Sequence, residues 1–217
     1  MNDAKVISSK QLKSITPLLT FIIDGVKLYP HSKYPRPLLV TDEEEFESQK
    51  ITKKDIITEQ LYHVLYFLQN TALNLSGQQR VLLRTEDKQV IFVDPRLKVP
   101  DVFDDYLAML HLLMEDRRVC SVEKGSEIMK FVKSDLTHSI PTGAKRIAAY
   151  LSKTDSVTSP DEFLKAEPTA VYIHLDPTVQ SYDEVLLGKY CVSNDILSAV
   201  TLASRILHSM ESKANLW

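Results

Sequence analysis

The stretch Val171-Tyr172-Ile173-His174-Leu175 decides how the chain is read, because β-branched and aromatic residues bounded by Pro168 and Pro177 specify a short buried strand. A loop leads from it through Lys189-Tyr190-Cys191-Val192 to Ser193-Asn194-Asp195-Ile196-Leu197-Ser198-Ala199. Ile196, Val200, Ala203, Leu207 and Met210 then recur at the spacing of a helix. A strand feeding a helix N-terminus is a ligand-site geometry of α/β proteins. Ser193 or Asn194 can cap the free N–H groups, and Asp195 suits the positive end of the dipole. Ordinary helix capping accounts for the same residues.

Upstream, Arg146-Ile147-Ala148-Ala149-Tyr150-Leu151 reads as another strand, and Ser159-Pro160-Asp161-Glu162 has the order of a capping box with proline at the first helical position. Ser126 is expected to cap a helix carrying Ile128, Met129, Val132 and Leu136, which Ile140-Pro141 stops. Val119-Cys120-Ser121-Val122 reads as a short strand, and Phe103, Tyr106, Leu107, Leu110, Leu113 and Met114 as the apolar face of a helix. Val81-Leu82-Leu83-Arg84-Thr85 and Val90-Ile91-Phe92-Val93 flank Glu86-Asp87-Lys88-Gln89, a hairpin within residues 78–95.

Further back, Ile57, Leu61, Val64, Leu65, Leu68 and Ala72 give a helical stripe ending near Gly77, with His63 placed in core packing beside it. The acidic run Asp42-Glu43-Glu44-Glu45 reads as a solvated helix start or loop. Leu38-Leu39-Val40 reads as strand-like after a proline-rich connection with Pro30, Pro35 and Pro37. Leu18-Leu19-Thr20-Phe21-Ile22-Ile23 is a buried strand, and residues 1–16 are polar and expected to be loose. Strands alternating with helices predict a single α/β domain with a largely parallel sheet flanked by helices and a β-hairpin excursion.

The 217 residues suffice for one sizeable core, and 44% hydrophobic with 25% charged residues is a globular balance. No apolar run reaches membrane-spanning length, and Met1-Asn2-Asp3-Ala4-Lys5 lacks a signal-peptide layout, so no membrane and a cytosolic or nuclear protein are expected. Cys120 and Cys191 lie in apolar strand-like surroundings, which predicts reduced core thiols and no metal site. The net charge of -3 is not the footprint of a strong non-specific nucleic-acid binder. The five glycines form no phosphate-cradling loop. His111, His138 and His208 read as packing, capping and exposed helix residues.

Taken as a continuous string, residues 81–147 resemble the small-subunit ribosomal-RNA pseudouridine-N(1)-methyltransferases, ribosome-biogenesis factors of the SPOUT class. The hairpin, Val93-Asp94-Pro95, Lys98-Val99-Pro100, Cys120-Ser121-Val122, Ile128-Met129-Lys130, Leu136-Thr137, Pro141-Thr142 and Lys145-Arg146-Ile147 carry the resemblance. It returns at Val192-Ser193-Asn194-Asp195-Ile196-Leu197-Ser198-Ala199, similar to the family's signature of Ile or Leu, Ser, Asn or Asp, Tyr, Pro, Leu, Ser, Ala. The resemblance implies one SPOUT-type domain over residues 1–217, trefoil-knotted through residues 169–217, and a homodimer. S-adenosyl-L-methionine would lie at Ala149, His174, Val179, Val192, Ser193, Asn194, Asp195, Ile196 and Leu197. Pre-ribosomal small-subunit RNA and assembly factors would be the partners, and the nucleus or nucleolus the location.

The chain also departs from the pattern. His174 and Val179 stand where the family's cofactor loop has glycines, with Asp176-Pro177 between them, and Asp195-Ile196 replaces Tyr-Pro. Bulky side chains narrow such a pocket, and proline cannot donate an N–H. Where the family places RNA-contacting arginines the chain keeps Lys98 but has Asp101, Asp105 and Cys120, which turns attraction to phosphate into repulsion. The family's Arg-Pro-Asp becomes Lys54-Asp55-Ile56, leaving Asp55 as the candidate acid–base group for a pseudouridine nitrogen that must lose its proton. Three readings follow. The first is a family member with degraded cofactor and RNA sites and a structural role in assembly. The second is a divergent active methyltransferase with Lys54, Lys98, Arg117, Arg118, Lys145 and Arg146 as its RNA-facing cations. The third is an interaction subunit pairing with an active relative through acidic surfaces at Asp101, Asp104 and Asp105.

Overall fold

The computed structural model describes residues 16–121, 125–180, 182, 185–195 and 197–216. The expected loose segment 1–16 lies almost wholly outside them, as do Val122 of the predicted short strand and Ile196 of the signature loop. In chain order the elements are β1 (Leu19–Val26), α1 (Glu43–Gln49), a 3-10 turn (Lys53–Asp55), α2 (Thr58–Gln69), α3 (Ala72–Leu75), β2 (Gln79–Thr85), β3 (Val90–Val93) and α4 (Phe103–Asp116). They continue with β4 (Arg118–Cys120), β5 (Glu127–Val132), α5 (Leu136–Ser139), β6 (Lys145–Leu151), α6 (Pro160–Phe163), β7 (Thr169–His174), β8 (Gly188–Ser193) and α7 (Ala199–Lys213).

The strands form one sheet in the order β4-β5-β3-β2-β1-β7-β6-β8. β2, β1, β7, β6 and β8 run parallel, while β3, β5 and β4 continue the sheet antiparallel from β2. The antiparallel part is therefore wider than the predicted hairpin. Its extension is β5, where the sequence suggested a helix capped by Ser126. Ile128, Met129 and Val132 satisfy either period over so short a run, and the open edge of β3 decides it by taking Met129, Lys130, Phe131 and Val132 as cross-strand partners.

β1 is buried along its whole length between β2 and β7. Phe21, Ile23, Leu83, Ile91, Ile147, Val171 and Ile173 face the larger core, which also contains the apolar faces of α2, α4 and α7. Ile22, Leu82, Ala148, Ala170 and Tyr172 belong to a smaller core with Leu136, Ile140 and Tyr182. A third cluster, Leu38, Phe46 and Ile56, holds the segment between β1 and α2. Here Leu38-Leu39-Val40 is not a strand. Pro35 and Pro37 before it limit its pairing, and the Leu39 N–H is taken by the Asp42 carboxylate at 2.7 Å. The acidic run does start a helix, yet Glu45 is buried and accepts from the Ser32 hydroxyl at 2.6 Å.

The long stripe after Ile57 divides at Asn70, where Thr71 caps α3 by accepting from the Asn74 N–H. His63 is exposed, outside the core expected for it. Lys189-Tyr190-Cys191-Val192 is part of β8, not a loop, and it pairs with β6 on one side. On its other side Cys191 bridges Val157, and the Thr158 N–H donates to the Cys191 carbonyl at 2.8 Å. Cys191 is buried as expected, but Cys120 is exposed on the short edge strand β4. The last helix starts later than the sequence suggested. Ser198, not Ser193 or Asn194, is its cap and accepts from the Thr201 N–H at 3.2 Å. Ser193 and Asn194 bind loops instead.

Ile206 is fully buried on α7 in the main core. Ile206→Ala is expected to cost about 3 kcal/mol from lost burial and the cavity left behind. Urea unfolding should show a lower midpoint with an unchanged slope.

Candidate functional site

The parallel strands β1, β7, β6 and β8 end on one side of the sheet, where the segments that follow them gather. A cleft of about 260 Å³ opens there, lined by Leu151, Ser152 and Lys153 after β6, Thr178 and Gln180 after β7, and Asn194 and Asp195 after β8. Its backbone is heavily cross-bonded. The Leu151 N–H donates to the Pro177 carbonyl at 2.8 Å, and the Ser152 N–H to the Ser193 carbonyl at 3.2 Å. The Asn194 side-chain amide donates to the carbonyls of Ser152 at 2.7 Å and Asp155 at 2.8 Å.

Four amides of the loops around this cleft are used within their own loops. The Asp176 N–H donates to His174 Nδ1 at 3.0 Å, the Thr178 N–H to Asp176 Oδ1 at 3.0 Å, and the Asp195 N–H to Ser193 Oγ at 3.1 Å. The Val179 N–H donates to the Asp176 carbonyl at 3.1 Å. His174 lies over Gly25, whose φ is +75° and where a Cβ would stand 2.2 Å from Nε2 of the imidazole. Glycine is needed at residue 25 both for its backbone angle and for the space the ring occupies.

Beneath His174 sits a buried ion pair. Arg84 donates from Nε to Asp24 Oδ1 at 2.9 Å and from Nη2 to Asp24 Oδ2, while the Gly25 N–H donates to Asp24 Oδ1 at 2.9 Å. The guanidinium also lies 5.6 Å from the Tyr172 ring centroid. Sequence reasoning missed Asp24 and Arg84. The available signal was a charge placed directly at the end of each apolar run, in Phe21-Ile22-Ile23-Asp24 and Val81-Leu82-Leu83-Arg84.

Asp55 lies across β1 from the small cleft. It accepts from Lys27 Nζ at 2.6 Å, and the same ammonium reaches Glu86 at 2.8 Å. The hydrogen bond from Lys27, then that from Thr52, pulls the Asp55 carboxyl down to about 2. A carboxylate so stabilised is a weak proton acceptor. Lys27 belongs to a second cleft of about 630 Å³, which also contains Tyr29, His31, His111, Glu115, Arg117 and Phe131. His111 packs half-buried there, 3.4 Å from Glu115.

Of the residues singled out for cofactor binding, Asn194 and Asp195 line the small cleft. His174, Val179 and Ser193 belong to the adjoining strand ends and loops without lining it, Leu197 packs against the main core, and Ala149 and Val192 are buried within β6 and β8. Among the cations, Lys54 is exposed on the 3-10 turn beside Asp55, and Lys98 is exposed in the connection to α4. Arg117 and Arg118 stand together at the junction of α4 and β4. Lys145 and Arg146 start β6, at the opposite end of the sheet from Arg117, and Lys145 Nζ donates to the Phe163 carbonyl at 3.2 Å. The structure thus disperses these charges. Among the described residues no group of His, Cys, Asp or Glu is arranged to hold a metal ion, and no helix is long and apolar enough to cross a membrane.

Fold and site together define a mixed α/β protein of SPOUT type, with its cleft at the carboxyl ends of parallel strands. The chain belongs to the EMG1/NEP1 methyltransferase family, whose profile matches residues 23–211. It is 26% identical over 156 residues to the ribosomal RNA small subunit methyltransferase mra1 of Schizosaccharomyces pombe, a match covering 69% of this chain and 43% of that protein. It is 23% identical over 167 residues to the ribosomal RNA small subunit methyltransferase NEP1 of Drosophila melanogaster, covering 69% of this chain and 63% of the relative. The chain thus spans less than two thirds of these relatives. The crystal structure of Archaeoglobus fulgidus Nep1 bound to S-adenosylhomocysteine superposes with a TM-score of 0.64 at 14% identity, over 93% of this chain and 100% of that one.

S-adenosyl-L-methionine is the cofactor this family implies. As it stands the cleft is narrow. The cleft of 260 Å³ falls below the ~300 Å³ at which drug-sized ligand pockets begin, and its amides at Asp176, Thr178, Val179 and Asp195 are bound within the loops.

The Asp55 clamp has a defined pH signature. A carboxylate lowered from 3.8 to about 2 contributes stability above its unfolded value and loses it as pH falls through the folded one. Asp55→Asn should therefore cost about 1 kcal/mol at neutral pH, the size of a partly exposed ion pair. In urea titrations the difference from the parent should vanish as pH falls from about 4 to 2.

Proposed function

We propose that the chain acts on small-subunit ribosomal RNA as an assembly factor that binds without transferring a methyl group. The observation carrying this reading is the small cleft with the amides of Asp176, Thr178, Val179 and Asp195 in its loops bound within those loops. Family membership supports the RNA partner, and the relatives named as ribosomal RNA small subunit methyltransferases support ribosome biogenesis and a nucleolar location. Asp55, fixed by Lys27 and Thr52, serves in this reading as a structural carboxylate.

The same reading takes the C-terminal segment as threaded. β8 lies between β6 and the Val157–Thr158 segment that follows β6 in the chain, an arrangement that supports a knot through residues 169–217. It also takes the protein as a homodimer. α2 and α7 leave between them a largely apolar groove of about 710 Å³ bordered by Tyr66, Phe67, Val200 and Leu207, a face suited to the same helices of a second copy.

A second reading, an active methyltransferase, is favoured by the retained Leu197-Ser198-Ala199 and requires the loops to exchange their internal bonds for a ligand. Calorimetry with S-adenosylhomocysteine up to millimolar concentration separates the two. No saturable heat is expected from the folded protein; a micromolar dissociation constant, or methyl incorporation into a pseudouridine-containing hairpin RNA, would establish the second reading. Sedimentation tests the pairing. The parent should sediment as a dimer and Val200→Glu as a folded monomer, and a monomeric parent removes this part of the proposal.

A further inference from the structure

The second cleft, about 630 Å³ in volume, shares no lining residue with the small one. It is formed by the segment after β1, the turn between β2 and β3, and the end of α4. One wall is already stacked. The Arg117 guanidinium lies over the Phe131 ring, 3.4 Å from its centroid, and donates from Nη2 to the side-chain carbonyl of Gln89. Arg117 is nevertheless exposed. A guanidinium held on an aromatic ring and tethered at its edge offers a platform for another flat group.

The rest of the lining selects what that group belongs to. Tyr29, half-buried, adds a second aromatic surface. Glu86, Asp87 and Glu115 supply carboxylates, and Lys27 is engaged with Asp55 and Glu86. Acceptors at these positions suit hydroxyl donors and repel phosphate. Beside Arg117, Arg118 is exposed outside the cleft, 3.7 Å from Glu127. The volume lies within the ~300–1,000 Å³ of small-molecule sites, enough for a nucleoside.

We propose that this cleft seats one unstacked RNA base with its ribose, apart from any nucleotide presented to the small cleft. The base stacks on the face of Arg117 turned away from Phe131, the carboxylates accept from ribose hydroxyls, and the flanking phosphates remain outside toward Arg118. Bases splayed from single strands are commonly held on aromatic or guanidinium planes in this way. The proposal rests on the RNA-binding reading above and adds a site to it.

The test uses the whole chain and fluorescence anisotropy, with labelled oligouridylate and an abasic oligonucleotide of equal length and charge. The parent is expected to prefer the base-bearing strand. Arg117→Lys keeps the charge without the plane, and Arg117→Asn keeps a side chain that tolerates the φ of 60° found at this residue. Both should weaken oligouridylate binding about tenfold or more and abolish the preference over the abasic strand. Circular dichroism should show both variants folded. Undiminished binding by Arg117→Lys, or equal binding of the two strands by the parent, overturns the base seat while leaving RNA binding standing. Absence of binding to either strand overturns both.

Discussion

The ion pair between Arg84 and Asp24 is the interaction on which the upper edge of the sheet depends. Both residues are buried, with Arg84 2% and Asp24 7% exposed. A buried pair is retained at the expense of desolvating two ions, so its value lies in geometry more than in net stability. Here the geometry is decisive. Asp24 also receives the Gly25 N–H, at the register shift between Ile23 and Val26 in β1, and its carbonyl accepts the Leu175 N–H at 3.0 Å, which sets where β7 ends. The pair thereby joins the ends of β1, β2 and β7. Removing one partner would strand the other charge, a loss of about 3–5 kcal/mol in comparable sites.

From that fixed point the two clefts diverge. Val26 and Lys27 lead one way into the larger cleft, and His174, Asp176 and Thr178 lead the other way toward the small one. β1 is the element from which both are reached, because it pairs in parallel with both β2 and β7 and lies between the antiparallel strands and β7, β6 and β8. The division of labour between clefts follows from the loops. After β7 the donors are turned inward to Asp176 and His174, whereas the larger cleft keeps an exposed guanidinium and a rim of carboxylates.

Much of this architecture was legible in the chain because burial and period agreed. β1, β7, the hairpin, α2 and α4 combine uninterrupted apolar patterns with clear stops, and local preference and tertiary packing favour the same structure. Failures occurred where a short apolar run satisfied two periods. Residues 127–132 became a strand because β3 had an open edge, a fact no local window contains. The helix cap was displaced from Ser193 to Ser198 because Ser193 and Asn194 are used to tie neighbouring loops together. The candidate site was legible only where family resemblance pointed to it. Asp24, Arg84 and Lys27 were invisible because their significance comes from partners 60 or 28 residues away.

His174 shows how the fold makes room for a ring at the end of a parallel strand. An imidazole at the end of a parallel strand needs room, and the room is provided by Gly25 on the adjacent strand, where any side chain would collide with the ring. The ring then accepts the Asp176 N–H, and Asp176 in turn binds the Thr178 N–H and hydroxyl, the latter at 2.6 Å. Each bond satisfies a donor that an open glycine loop would leave free to meet a ligand. His174 therefore completes the loop's own hydrogen bonding, and a ligand entering here would have to replace several satisfied bonds before forming its first.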